Sequence, residues 1–167
     1  MGDGGMSAPT LMLYGTHELS FDDKSRAVMP AQFRQKLKEE CQGELVLTQS
    51  LFDPCLWLYP QTMWEQLLED LNAISTLAHP AVLSMQRLLL SGAQSIKLDG
   101  QGRFAVSSEL RDLAGMTEKK FFLLGFQHKF ELWSGSALRE RQQQDRERVS
   151  AALRGTEPNE LFANLRI

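Results

Sequence analysis

Two short stretches hold the residues best suited to chemistry, and they are nearly the same. "DDKSR" places Asp22, Lys24, Ser25 and Arg26 around one turn, and "DGQGR" places Asp99, Gly102 and Arg103 around another. Neither brings together a nucleophile with its base, a convergent acid–base pair or a set of metal donors. What they offer is fixed positive charge beside a tight turn. Arginine has a planar fork that matches guanine O6 and N7 or a phosphate, whereas lysine acts as a point charge. The same spacing has a structural use. An Asp can cap its own turn, and an Arg four residues on can close it with an ion pair. Spacing alone leaves both readings open, because any two modules needing that turn would both carry it.

The elements around the turns repeat as well. At an offset of 77, Asp22 falls on Asp99, Ser25 on Gly102, Arg26 on Arg103, Phe33 on Leu110 and Arg34 on Arg111. "ELVLT" then meets "FFLLG" (Glu44 on Phe121), and a small loop-length change sets "CLWLYP" against "FELWSG". So many matched features in one order indicate duplication into two modules rather than a solenoid. In each module a strand ("THELSF", "SIKL") leads into the turn, and a short return strand (27–29, 104–106) follows, which predicts two local hairpins. A short helix comes next. Pro30 suits the first helix's opening turn, with Phe33 and Leu37 on one face. Ser107 is the expected cap of the second, with Leu110 and Leu113 inward and Gly115 as its stop. Two more strands close each module, joined by turns at "DP" and "QHK".

The expected organisation is a leading tail and segment over 1–15, a first module over 16–63 and a helical linker over 64–91. A second module covers 92–136, and a C-terminal helix and tail cover 137–167. The linker reads as two helices. "TMWEQLLEDL" carries Met63, Trp64, Leu67, Leu68 and Leu71 on one face with Thr62 as cap, and "HPAVLSMQRLLL" follows with Pro80 in its first turn. The polar stretch after the second module predicts a helix with an Arg141–Asp145 pair.

The whole-chain numbers exclude several classes. The 167 residues, 43% apolar and 23% charged, describe a globular chain, and a net charge of −3 announces no global affinity for nucleic acid. Positive charge would have to cluster locally. Cys41 and Cys55 share no metal or redox spacing and are expected reduced. The Gly-rich opening, "MGDGGMSAPTLM", reads as a flexible tail rather than a secretory signal, no apolar run approaches a bilayer span, and the expected location is the cytoplasm. His17, His79 and His128 stand apart from other ligand types, so neither a metal nor another cofactor is expected. Trp57, Trp64 and Trp133 read as packing residues, and the chain is not expected to be an enzyme.

With the doubled turn in view, the sequence resembles the MraZ family, whose chains carry two AbrB-like (SpoVT-AbrB) modules. "DDKSRAVMPAQFR", "CLWLYP", "QRLLLSGA", "DGQGR" and "KFELW", in that order, carry the likeness from about Leu11 to the final helix. The resemblance implies an α+β fold of duplicated swapped-hairpin β-barrel modules with connecting and C-terminal helices. It also implies a ring-shaped homo-oligomer, with no membrane partner. The implied ligand is double-stranded DNA at repeated short elements in the promoter of a cell-division and cell-wall gene cluster, in the nucleoid-associated cytoplasm.

The family's first-module loop is the one associated with DNA, which ranks Arg26 first, Lys24 second and Arg103 third. Arg34 and Lys36 on the following helix are candidate phosphate contacts. Asp22, Ser25, Asp99 and Gly102 are expected to shape the turns. Two positions depart from the family's pattern: Ser25 stands where Gly usually precedes the Arg, and Ser107 where a Pro commonly opens the helix. The alternative is an antitoxin-like module that chiefly holds a partner protein.

Overall fold

The runs "ELVLT" and "CLWLYP" are apolar without alternation, so their strands need cover on both faces. A computed structural model, which describes residues 11–155 and 160–167, shows how that cover arises. The chain divides after Ser134 into two units. The first contains β1 (Leu13–Ser20), β2 (Arg26–Val28), α1 (Ala31–Cys41), β3 (Glu44–Gln49), β4 (Leu56–Pro60), α2 (Gln61–Asn72) and α3 (Pro80–Ser91). It continues with β5 (Gln94–Lys97), β6 (Arg103–Ala105), α4 (Ser108–Leu113), β7 (Lys120–Gln127) and β8 (Lys129–Trp133). The second unit holds α5 (Gly135–Leu153), where Arg141 and Asp145 pair at 3.9 Å, and α6 (Glu160–Ala163).

The first unit is an antiparallel sheet in the order β1-β7-β8-β4-β3-β5 plus a two-stranded ribbon, β2-β6. The expected local hairpins do not form. The chain reverses at each turn, but β1 pairs with β7, β5 with β3 and β2 with β6, all across the two halves. The reason is core size. A lone two-stranded hairpin buries too little to be stable, whereas exchanging strands pools the apolar residues of both halves. Phe21, Ala27, Phe33, Leu37 and Leu45 from the first half share one core with Phe104, Leu110, Phe121, Leu123 and Phe130 from the second. Phe21 stacks on Phe121 at 4.2 Å between centroids, and Phe33 meets Phe130 edge-on at 5.0 Å.

The pairing registers expose a pseudo-twofold relation. Ala27 faces Phe104 at the centre of the ribbon, and Trp57 faces Glu131 at the centre of the β4–β8 pair. Leu19 pairs with Phe121 as Ile96 pairs with Leu45. The counterpart of Phe121 is therefore Leu45, one residue beyond the Glu44 expected from sequence. Backbone bonds agree: Phe21 N–H donates to Lys119 O and Leu98 N–H to Gly43 O, each at 2.9 Å.

The helices start and stop for local reasons. In α1, Phe33, Leu37 and Cys41 form the buried face. Its end turns through Gln42 and Gly43 at positive φ, with Gly43 N–H donating back to Leu37 O at 3.0 Å. Ser107 caps α4 by accepting from Leu110 N–H at 3.3 Å. Leu113, expected inward, is 58% exposed, because the turn at Gly115 (φ 63°) hands its place in the core to Ala114 and Met116. Thr62, expected as a cap, lies inside α2, whose N-cap is Pro60. The buried Thr48 hydroxyl donates to Leu89 O at 2.7 Å and ties α3 to β3. The expected N-terminal tail lies largely outside the described residues, and Leu11 and Leu13 are already buried. Among the described residues no helix is long and apolar enough to cross a membrane.

Candidate nucleic-acid interface

Each turn is organised by one carboxylate. Asp22 Oδ1 accepts from the N–H groups of Lys24 (2.8 Å) and Arg26 (2.9 Å), and its Oδ2 accepts from Arg26 Nε at 3.0 Å. Asp99 repeats the set with Gln101 N–H (2.9 Å), Arg103 N–H (2.8 Å) and Arg103 Nε (2.6 Å). Such bonds favour the ionised form. The Arg26 N–H, followed by the Lys24 N–H and the Arg26 side chain, holds Asp22 below the usual carboxylate range. Asp99 is pulled down to about 2, chiefly by the Arg103 N–H and then by the Arg103 side chain.

The structural use of the Asp–Arg spacing is therefore real at both turns, yet it leaves the cations partly free. Only Nε of Arg26 and of Arg103 is engaged, and each side chain remains 29% exposed. Their Nη groups have no protein partner among the described residues. Ala27 and Phe104 point into the core, so strand alternation puts Arg26, Val28, Arg103 and Ala105 on the outer face of the ribbon. Arg26 lies opposite Ala105 and Arg103 opposite Val28. The two arginines are thus diagonal neighbours on one ribbon face, with roughly 7–8 Å between their positions. The ion pair that shapes each turn also orients a guanidinium edge away from it.

The other predicted residues separate into two groups. Lys24 and Lys36 are exposed. Lys24 has Gln101 as its counterpart, so the added charge belongs to the first turn alone. Arg34 is half-buried and points inward, with Nε donating to Met29 O at 2.7 Å. It also lies against the opposite module's turn: a Cβ added at Gly102 would fall 2.6 Å from Arg34 Cδ. Met29 N–H donates to Gly102 O at 2.8 Å, and its mirror image, Val106 N–H to Ser25 O, measures 3.1 Å.

Sequence reasoning placed Arg111 opposite Arg34 but gave it no role. In the structure Arg111 crosses to the first turn. Its Nη1 donates to Ser25 Oγ at 3.1 Å, and its guanidinium carbon sits 4.2 Å from the centre of the Phe21 ring. The repeat offset, which sets Arg34 on Arg111, was the available signal.

Among the described residues, no group of three His, Cys, Asp or Glu side chains is placed to hold a metal. Both cysteines are free and buried. Burial pushes the Cys41 thiol up, and burial together with Glu131 pushes Cys55 to about 12.

Fold and turns together define a two-module α+β chain in which each half completes the other and the basic turns lie at mirror positions. Its sequence matches the model of the MraZ protein, described as antitoxin-like, over residues 12–85 and 89–154. The chain belongs to the MraZ family. It is 42% identical over 123 residues to the transcriptional regulator MraZ of Tolumonas auensis, an alignment spanning 74% of this chain and 80% of that one. The transcriptional regulator MraZ of Saccharophagus degradans is 40% identical over 126 residues (75% and 84%). That of Pseudoalteromonas translucida is 38% identical over 136 residues (81% and 88%).

Proposed function

We propose that this protein is a sequence-specific DNA-binding transcriptional regulator rather than an enzyme. The observation that carries the reading is the diagonal pair of arginines on an exposed two-stranded ribbon, each oriented by its own Asp with its Nη groups unengaged. A ribbon of this width fits the major groove, where such a fork can reach guanine or phosphate. Arg26 is the leading contact, Lys24 adds a phosphate charge and Arg103 is third. Lys36 is a peripheral phosphate contact. Arg34 ranks last, because its Nε is engaged with Met29 O. The naming of the relatives as transcriptional regulators supports the same reading.

The exchanged strand pairings support describing the fold as two swapped-hairpin AbrB-like modules, over 16–63 and 92–136, around the linker at 64–91. In this reading the protein works in the cytoplasm, at the nucleoid, as a ring of identical subunits. One basic ribbon per subunit binds weakly. A ring presents several to adjacent promoter repeats, and linkage of this kind raises avidity by about 10²–10⁴ where spacing permits. The target is the promoter of a cell-division and cell-wall gene cluster, including the protein's own operon. The test combines sedimentation with affinity for duplexes carrying one, two or three repeats. The expected result is an oligomer whose affinity climbs steeply with repeat number; a monomer binding all three duplexes alike would refute the ring.

The family description, antitoxin-like, keeps one alternative in play: a module that mainly holds a partner protein. It predicts DNA binding that is weak and indifferent to the repeat sequence.

A further inference from the structure

The two turns share their backbone bonds but not their surroundings. Around the second turn the side chains are small or absent: Gly43, Leu98, Gly100 and Gly102, with Arg34 and Lys38, line a cavity of about 310 Å³. The mirror positions around the first turn carry larger side chains, of which Phe21 is buried and Asp23 is exposed. Phe21 replaces Leu98 and stacks between Phe121 and the Arg111 guanidinium. Asp23 replaces Gly100 and pairs with Lys119 at 3.2 Å. Ser25 replaces Gly102 and accepts from Arg111 Nη1 at 3.1 Å. Ser25 holds a φ of 58°, a conformation that glycine adopts at lower cost, and its hydroxyl supplies a bond that glycine lacks.

We infer that Arg111, a residue of the second module, is a positioning residue for the first module's turn, acting through Ser25 and Phe21. The inference rests on the DNA-binding reading and deepens it. Arg111 is half-buried, and its fork reaches the turn from across the pseudo-twofold. It fixes the segment between Asp22 and Arg26, from which Lys24 and the Arg26 Nη groups project. Guanine recognition by a fork tolerates only about 0.5 Å of misplacement, so a loosened turn loses affinity without losing a single DNA contact. At the second turn the mirror residue, Arg34, packs against Gly102 with its Nε on Met29 O, but Gly102 offers no side chain to accept a bond from it. The first turn is therefore the pre-organised one and sets specificity.

The test measures affinity for a promoter-repeat duplex across a salt series, with melting curves, for wild type, Ser25→Gly, Arg111→Lys, Arg111→Ala and the Ser25→Gly/Arg111→Lys double variant. Ser25→Gly is expected to bind roughly three- to tenfold more weakly, the effect of one ordinary intramolecular hydrogen bond. Its melting temperature should stay equal or rise, because strain at positive φ is relieved. Arg111→Lys keeps the charge but not the fork and should lose a similar factor. The double variant should be no worse than the weaker single one. The slope of log affinity against log salt should match wild type throughout, since no phosphate contact is removed.

Wild-type affinity in Ser25→Gly would overturn the inference even if the Arg111 variants fail to fold. A slope lowered by about one in Arg111→Ala would also overturn it, by making Arg111 a direct phosphate contact. If wild type itself ignores the repeat sequence, the DNA-binding reading fails, and amide exchange still tests the clamp. Faster exchange at Ser25 and Arg26 in Arg111→Lys, with β4 unchanged, supports it, and unchanged exchange overturns it.

Discussion

Arg103 Nε donates to Asp99 Oδ2 at 2.6 Å, the tighter of two mirror-related ion pairs, the bond from Arg26 to Asp22 being 3.0 Å. The first turn, with the longer pair, also carries the extra lysine and the cross-module clamp. One backbone scheme thus serves two ends. The second turn is closed by its own Asp and Arg, and the first adds to its own pair the bond from Arg111 to Ser25.

The acid limb of stability should reveal those carboxylates. Asp99 titrates at about 2 in the fold, below its unfolded value of about 3.9. Its ionised form therefore stabilises the protein, fully above about pH 4, and that contribution is lost as pH falls towards about 2. Thermal melts across this range should show Asp99→Asn less stable than wild type near neutrality and converging with it at the acid end. Parallel curves would assign the difference to something other than ionisation.

Gly102 should resist substitution far more than its neighbour Gly100. A Cβ at Gly102 meets Arg34 Cδ at 2.6 Å and Nε at 2.7 Å, at a φ of 75°. Arg34 cannot easily withdraw, because Met29 O holds its Nε at 2.7 Å. Gly102→Ala should cost about 1–3 kcal/mol in urea unfolding, combining left-handed strain with the clash. At Gly100 an added Cβ meets nothing within 4 Å, so Gly100→Ala should stay within about 0.5 kcal/mol of wild type.

Lys129 supplies a basic-limb prediction of opposite kind. Its ammonium lies 4.8 Å from the ring centres of both Trp57 and Phe126, and burial lowers its pKa while Glu131 pulls it back up. A lysine with a depressed folded pKa destabilises the fold while charged, and that penalty disappears as pH rises past the folded value towards about 10.5. Wild type should therefore gain stability relative to Lys129→Met as pH rises through the alkaline range towards about 10.5. Denaturant midpoints measured in parallel on the two proteins give the comparison.

Much of the local structure was legible because its causes are local. The Asp that accepts from the N–H groups two and four residues on, the Ser107 cap, the Gly115 stop and the α1 face through Phe33 and Leu37 each depend on a few adjacent residues. The pairing of strands depends on the whole core, and there the hairpin reading of the residues failed, whereas the family resemblance implied swapped hairpins. β2 is three residues long and finds its partner in β6, which no hairpin rule anticipates. The one-residue shift that makes Leu45 the mate of Phe121 comes from a connection of different length after the helix, and only the ladder registers reveal it. Leu113 fitted a helical face, but α4 ends there and the core is completed beyond it. At the candidate site, the type and spacing of Arg26 and Lys24 were readable. The inward use of Arg34 and the crossing of Arg111 to Ser25 required the exchanged topology.

The central claim is that Arg26 reads DNA from a turn that Asp22 shapes. The most direct measurement is binding to the promoter DNA of the protein's own operon across a salt series, for wild type and Arg26→Ala, with a circular-dichroism melt of each. Wild type should bind specifically, with affinity falling as salt rises. Arg26→Ala, while still folded, should lose about 1–3 kcal/mol of binding and most of its discrimination between promoter and unrelated DNA. Equal affinity and equal discrimination in folded Arg26→Ala would contradict the account and leave Arg26 as a residue that only closes its turn.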